Sequence, residues 1–161
     1  MAEKRNYWLV KSEPDVFSID DLFAAPGKST CWDGVRNYTA RNMLRDELKN
    51  GDGVLYYHSR TDPPGIAGTA EVVREGYPDH TQFDPKNSHF DAKADPENPR
   101  WFMVDIRALE KFPRHVPLEE IKASSKLAEM AVVQRGQRLS VQRVTAAEWR
   151  EVLRMGKSEK R

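Results

Sequence analysis

The sequence predicts an α+β fold, a small curled sheet or barrel of about five to six strands with short helices packed outside it. Three features point to it. Apolar residues alternate with period two in several separate blocks, without the strict strand–helix alternation of a parallel α/β sheet. Two helix starts carry paired capping and staple residues. The longest strand contains Gly68, and a glycine there supplies the bulge or bend that closing a small barrel needs.

The elements follow in order. NYWLVKSEP alternates and stops at Pro14, so it reads as a strand with Trp8 and Val10 on one face and Tyr7, Leu9 and Lys11 on the other. FSIDDLF opens a helix: Ser18 and Asp21 have capping-box spacing, and Phe17 and Leu22 have staple spacing. NYTARNMLRDELKNG is a second helix, with Asn37 as N-cap, Met43, Leu44 and Leu48 as its apolar stripe, and Gly51 as its stop. GVLYYHS and GIAGTAEVVREGY are strands. Residues 77–100 are rich in proline, aspartate and asparagine and read as a long surface or functional loop. WFMVDIRALEKF is the clearest strand, with Phe102, Val104, Ile106 and Ala108 on one face. PLEEIKA and SKLAEMAVV read as short helices, and QRLSVQRV as a return strand. TAAEWREVLRM closes as a helix, with Thr145 and Glu148 as capping box and Val144 and Trp149 as staple. Residues 1–156 form a single domain in this reading, and 157–161 a disordered basic tail.

Length and composition suit one domain with a real core: 161 residues, 39% hydrophobic and 32% charged. A formal net charge of +1 excludes a strongly basic coat but leaves room for a local basic patch. The lone cysteine, Cys31, forms no internal disulfide and fits a reducing compartment. The first ten residues lack an apolar signal core, and no stretch approaches membrane-spanning length. The expectation is a cytoplasmic monomer, nuclear in a eukaryote, without a membrane partner.

Catalytic and metal chemistries find little support in the residues. Ser12, Ser59, His58, Glu13 and Asp33 are suitable types for a triad, but there is no G-x-S-x-G elbow, and Ser59 directly follows His58 on a strand, which points them to opposite faces. Asp79, His80, Asp84, His89, Asp91 and Asp95 match no metal-ligand spacing and read as turn formers. No cofactor or metal is expected. DGVRN at a helix start offers backbone N–H groups to one phosphate or base edge. Trp8 and Trp101 begin strands and read as structural. Trp32 lies in a polar loop and is placed to stack on a flat ring. Arg41 and Arg45 share a helical face behind it, either a phosphate-binding surface or a solvated face beside Asp46 and Glu47.

YWLVKSEP, WDGVRNYTARNMLR, YYHS, GIAGTAEVVREGYPD, PRWFMVDIR and RLSVQRVT occur in the order and spacing of the EVE-domain family, which the chain resembles from about Tyr7 to Met155. The resemblance implies a PUA-like β-barrel, related to YTH and ASCH domains, with a pocket for a modified nucleobase, chiefly 5-methylcytosine and its oxidised forms, in DNA more than RNA. It assigns to that pocket Lys11, Ser12, Glu13, Trp32, Val35, Arg36, Asn37, Tyr57, His58, Ser59, Ser140 and Val141. In the roles it implies, Trp32 stacks on an extruded base; Ser12, Asn37 or Glu13 reads polar ring edges; and Val35 or Val141 lines a methyl cavity. Lys11, Arg36, Arg41, Arg45 and Arg138 hold phosphates. Where the family pattern continues RLSVQ with proline, this chain has Arg143, which removes a rigid element and adds a charge. The alternatives are an enzyme acting on modified nucleobases, with Glu13 or His58 as general base, and a small-molecule or protein-interaction module using the same cavity.

Overall fold

The computed structural model describes residues 5–134 and 139–157. Its strands are β1 (Tyr7–Ser12), β2 (Ser29–Cys31), β3 (Gly53–His58), β4 (Gly65–Pro78), β5 (Phe102–Pro117) and β6 (Val141–Val144). Its helices are α1 (Ile19–Ala24), α2 (Tyr38–Asp46), α3 (Leu118–Ala123) and α4 (Ala146–Lys157). The strands make one mixed sheet in the order β2-β5-β4-β3-β1-β6. Only the β1–β3 pair is parallel, with Tyr7 opposite Gly53 and Ser12 opposite His58. Among the described residues no helix is long and apolar enough to cross a membrane.

Alternation along the strands feeds two cores, one on each face. Trp8, Val10, Val54, Tyr56 and Ile106 pack with Ile19 and Leu22 of α1 and with Ala40, Met43 and Leu44 of α2. Leu9, Leu55, Tyr57, Ile66 and Phe112 pack instead with Ile121 of α3 and with Trp149, Val152 and Met155 of α4. Each fully buried side chain of this size contributes roughly 1.5–3 kcal/mol. The sheet is therefore sandwiched, and strands that looked half-exposed by alternation are covered on both sides.

The sheet is strongly curled. Edge strand β2 and the residue before β6 stand five strand spacings apart in the ladder, roughly 24 Å if the sheet were flat. Yet Thr30, Cys31 and Ser140 line one cleft. Gly68 marks the bend: the β4–β5 register shifts between Ile66 and Gly68, and a Cβ there would sit 2.3 Å from the Glu110 carbonyl oxygen.

Local grammar is mostly as the sequence predicts. Both capping boxes form: Asp21 N–H donates to Ser18 Oγ at 3.1 Å, and Glu148 N–H to Thr145 Oγ1 at 3.1 Å. Five elements differ. α2 ends at Asp46, not at Gly51, because the Lys49 N–H turns to the Asp52 carboxylate and Gly51, at φ +89°, hands its N–H to Val72. SKLAEMAVV makes two separate 3-10 turns, Ser125–Leu127 and Ala131–Val133, not an α-helix. The return strand is only Val141–Val144. Strand β2 was not anticipated at all. α4 runs through Lys157, one residue into the expected tail; the rest of that tail, 158–161, lies outside the described residues.

Gly68→Ala should lower the denaturation midpoint by the equivalent of about 1–3 kcal/mol, because the methyl meets backbone that cannot move aside. Gly51→Ala has nothing within 4 Å of its new methyl and should lose only the roughly 1–2 kcal/mol of a left-handed non-glycine residue. Gly68→Ala should be the more destabilising of the two, and a smaller loss there than at Gly51 would mean that the β4–β5 approach is not tight.

Candidate functional site

A cleft of about 920 Å³ opens where the ends of β1 and β3 meet β2 and the loop leading into α2. Of the residues the sequence singles out, Lys11, Ser12, Glu13, Trp32, Val35, Arg36, Ser59 and Ser140 line it. Trp32 is fixed at both ends. Its N–H donates to the Val104 carbonyl at 2.7 Å, which continues the β2–β5 ladder by one residue. Its indole packs edge-on to Tyr56, ring centres 5.5 Å apart at 81°. Tyr56 is itself locked, since its hydroxyl donates to the Phe17 carbonyl at 2.7 Å, the same oxygen that accepts from Ser12 Oγ at 2.8 Å. Burial pushes the Tyr56 hydroxyl pKa well up, so it stays a donor.

The loop after Trp32 is held by one buried carboxylate. Asp79 has no exposed surface. Its Oδ2 accepts from the Gly34 N–H at 2.8 Å and from Arg36 Nη1 at 3.1 Å, while Oδ1 accepts from the N–H and hydroxyl of Thr81. Burial alone raises its pKa; the donors of Thr81, Gly34 and Arg36 outweigh that and hold it below the ordinary carboxylate value. Gly34 is required twice over: its φ is +80°, and a Cβ would lie 2.6 Å from the His89 ring.

Arg36 is thereby spent. Its five hydrogen bonds, to Asp79, Thr81, Val35 and twice to His89, use every guanidinium N–H, and it lies over the Trp101 ring. The expected phosphate contact at Arg36 is corrected to a structural clamp.

Four predicted base-pocket residues and two predicted phosphate ligands stand away from the cleft wall. Asn37 is exposed, and its Oδ1 caps α2 by accepting from Ala40 at 3.0 Å. Tyr57 is 4% exposed and belongs to the opposite core. Val141 is fully buried in the cleft-side core. His58 Nε2 accepts from the Ile19 N–H at 3.1 Å, which anchors the start of α1. Arg41 bonds the Arg100 carbonyl at 2.6 Å, and Arg45 pairs with Asp46; neither lines the cleft. Arg138 lies outside the described residues. Arg143 pairs with Glu47 and borders a separate cleft of about 380 Å³ beside Trp8, so the departure from proline does not alter the main cleft's wall.

Ser12 and His58 do not pair, because Ser12 donates to a carbonyl and His58 accepts from an amide. The Cys31 thiol is kept protonated by burial and by the carboxylates of Asp33 and Asp105. In the 77–100 stretch Asp84, Asn87, Asp91 and Asp95 each accept from the N–H two residues on, which makes them turn formers. This arrangement can grip a flat ring.

The model of the EVE domain matches residues 6–155. The chain belongs to the EVE domain family. It is 43% identical to human thymocyte nuclear protein 1 over 96% of this chain and 75% of that protein. A hypothetical protein from Leishmania major superposes with a TM-score of 0.92 at 46% identity, covering 100% of both chains. Human THYN1 in complex with DNA containing 5-methylcytosine superposes at 0.90 with 43% identity, covering 96% of this chain and 99% of that one. The YTH domain of Zygosaccharomyces rouxii MRB1 reaches 0.55 at 13% identity, over 99% of this chain and 89% of that one, a likeness of fold alone.

In this EVE domain the cleft also takes Val16, Phe17, Thr30, Cys31, Asp33, Gly34, Arg60 and His89, which the sequence did not single out as site residues. The DG turn marked Gly34; nothing in a three-residue strand marks Thr30 and Cys31. Asp79 was read only as a turn former, one acidic residue among many in a turn-rich stretch.

Asp79→Ala should cost about 3 kcal/mol in urea unfolding, since it strands Arg36 and the Gly34 N–H. A loss under 1 kcal/mol would show that the loop does not depend on it. Burial lowers the pKa of His58, with His115 adding to the shift, and burial also lowers that of His115. The unfolded chain then binds more protons below pH 6.5, so stability is full above that value and falls as the pH drops through the folded pKa values. The thermal midpoint at pH 5 should lie below that at pH 7.5, and His58→Gln should flatten part of that slope.

Proposed function

We propose that this EVE domain reads a modified nucleobase, 5-methylcytosine or an oxidised form of it, in DNA in preference to RNA. The observation that carries the reading is Trp32, a loop tryptophan pinned by Val104 and Tyr56 at a cleft with room for a nucleotide. The DNA complex of human THYN1 supports both the base and the polymer. An extruded base stacks on Trp32, worth about 1–3 kcal/mol. Ser12 and Glu13 face its polar edges together with backbone groups of the Asp33–Arg36 loop, and Val35 meets the methyl group. Lys11 and Arg60 stand at the rim for phosphates, with Arg41 and Arg45 extending that charge along α2. Relatives named nuclear proteins support a nuclear location in a eukaryote.

One buried methyl contributes about 0.8 kcal/mol, roughly a fourfold preference. Titrating matched oligonucleotides with cytosine, 5-methylcytosine or 5-hydroxymethylcytosine, single- and double-stranded, should show such a modest preference and affinity that falls steeply with salt. Equal or absent binding across the set defeats the reading. Because Trp32 is half-buried against Tyr56, Trp32→Leu is the cleaner variant: it keeps an apolar contact and removes the stacking plane, and affinity should fall about 5- to 150-fold.

A further inference from the structure

We propose that Val16 and Arg60 form a duplex-engaging rim, in which Val16 enters the gap an extruded nucleotide leaves in the base stack and Arg60 holds the adjoining backbone phosphate. The proposal rests on the nucleobase reading above and deepens it from a pocket to a way of opening a duplex.

Val16 is 73% exposed, more than any other large hydrophobic residue among those described, and it lines the cleft. A single exposed apolar residue is ordinary on a protein surface. The setting of this one is not. The N–H groups of Val16 and Phe17 both donate to the Glu13 carbonyl at 2.9 Å, Pro14 fixes the backbone inside that turn, and the Phe17 carbonyl is held by Ser12 and Tyr56. The turn is thus rigid, and a β-branched side chain adds little freedom of its own. A stiff apolar group at the mouth of a base-sized cleft has the form of the wedges that separate stacked base pairs.

Arg60 stands on the same rim. It occupies the left-handed region at φ +54°, a conformation that non-glycine residues rarely keep without cause. Its side chain is 80% exposed and meets the Glu13 carboxylate through Nε at 3.4 Å. Glu13 therefore ties the two features together, its carbonyl closing the Val16 turn and its carboxylate positioning Arg60. Extrusion from a duplex costs a few kcal/mol, and a group that fills the gap recovers part of it; a single strand has no such gap.

The test uses the full chain with oligonucleotides carrying one 5-methylcytosine beside a 2-aminopurine, as duplex and as single strand. Wild type should raise 2-aminopurine fluorescence in the duplex. Val16→Ala should weaken duplex binding about tenfold and blunt that rise, with single-strand affinity within about twofold and the thermal midpoint unmoved. Arg60→Gln should reduce the slope of log affinity against log salt on the duplex by about one. Equal loss on both substrates, no loss on the duplex, or wild-type duplex binding without a fluorescence rise overturns the rim. Single-strand binding without duplex binding also overturns it while the cleft reading stands. If wild type binds neither substrate, both fail.

Discussion

The cleft depends on a carboxylate with no access to water. Asp79 must find donors for both of its oxygens, since an unpaired buried charge costs several kcal/mol. It finds them in two segments that the sequence keeps more than forty residues apart, the Gly34–Arg36 loop and its own turn at Thr81. That requirement fixes where the chain after Trp32 can run. Arg36 carries the constraint onward by bonding the His89 carbonyl, and buried Gln82 carries it back to Trp101. A stretch that lacks regular secondary structure becomes a scaffold because its polar groups have nowhere else to go.

A second constraint is the two-sided sheet. Adjacent residues on a strand face opposite ways, so Tyr56 supports the cleft while Tyr57 packs under α3 and α4. The same parity divides β1, where Trp8 and Val10 back the cleft and Leu9 fills the other core. A contiguous sequence motif on such a strand cannot all belong to one site. This is why YYHS, taken as a block, assigned Tyr57 to a pocket it does not face.

What was legible in the sequence was local. Ser18/Asp21, Thr145/Glu148 and Asn37 announced helix starts because a cap is made within four residues. Gly68 announced the bend because only glycine fits beside the Glu110 carbonyl. Trp32 stood out as an aromatic residue in a polar loop. What remained hidden was pairing at a distance. Arg36 looked like a phosphate ligand because the acceptors of its five hydrogen bonds come from three separate places. Asp79 looked like one turn former among many because burial is not written in its neighbours. His58 looked like a base because the α1 amide that occupies it lies far along the chain.

Strand β1 has partners from widely separated parts of the sequence, β3 on one side and β6 on the other, with Tyr7 opposite Val144. Such a pairing has high contact order, and loop closure over so long a span comes late in folding. A chain emerging from the ribosome makes Lys11 and Ser12 early, yet the neighbour that receives the Lys11 N–H, the Ser140 carbonyl, arrives among the last. The wall of the cleft is finished only when β6 docks. Assembly of the site and completion of the fold are therefore a single event, and a partly synthesised chain has the residues of the cleft without the cleft.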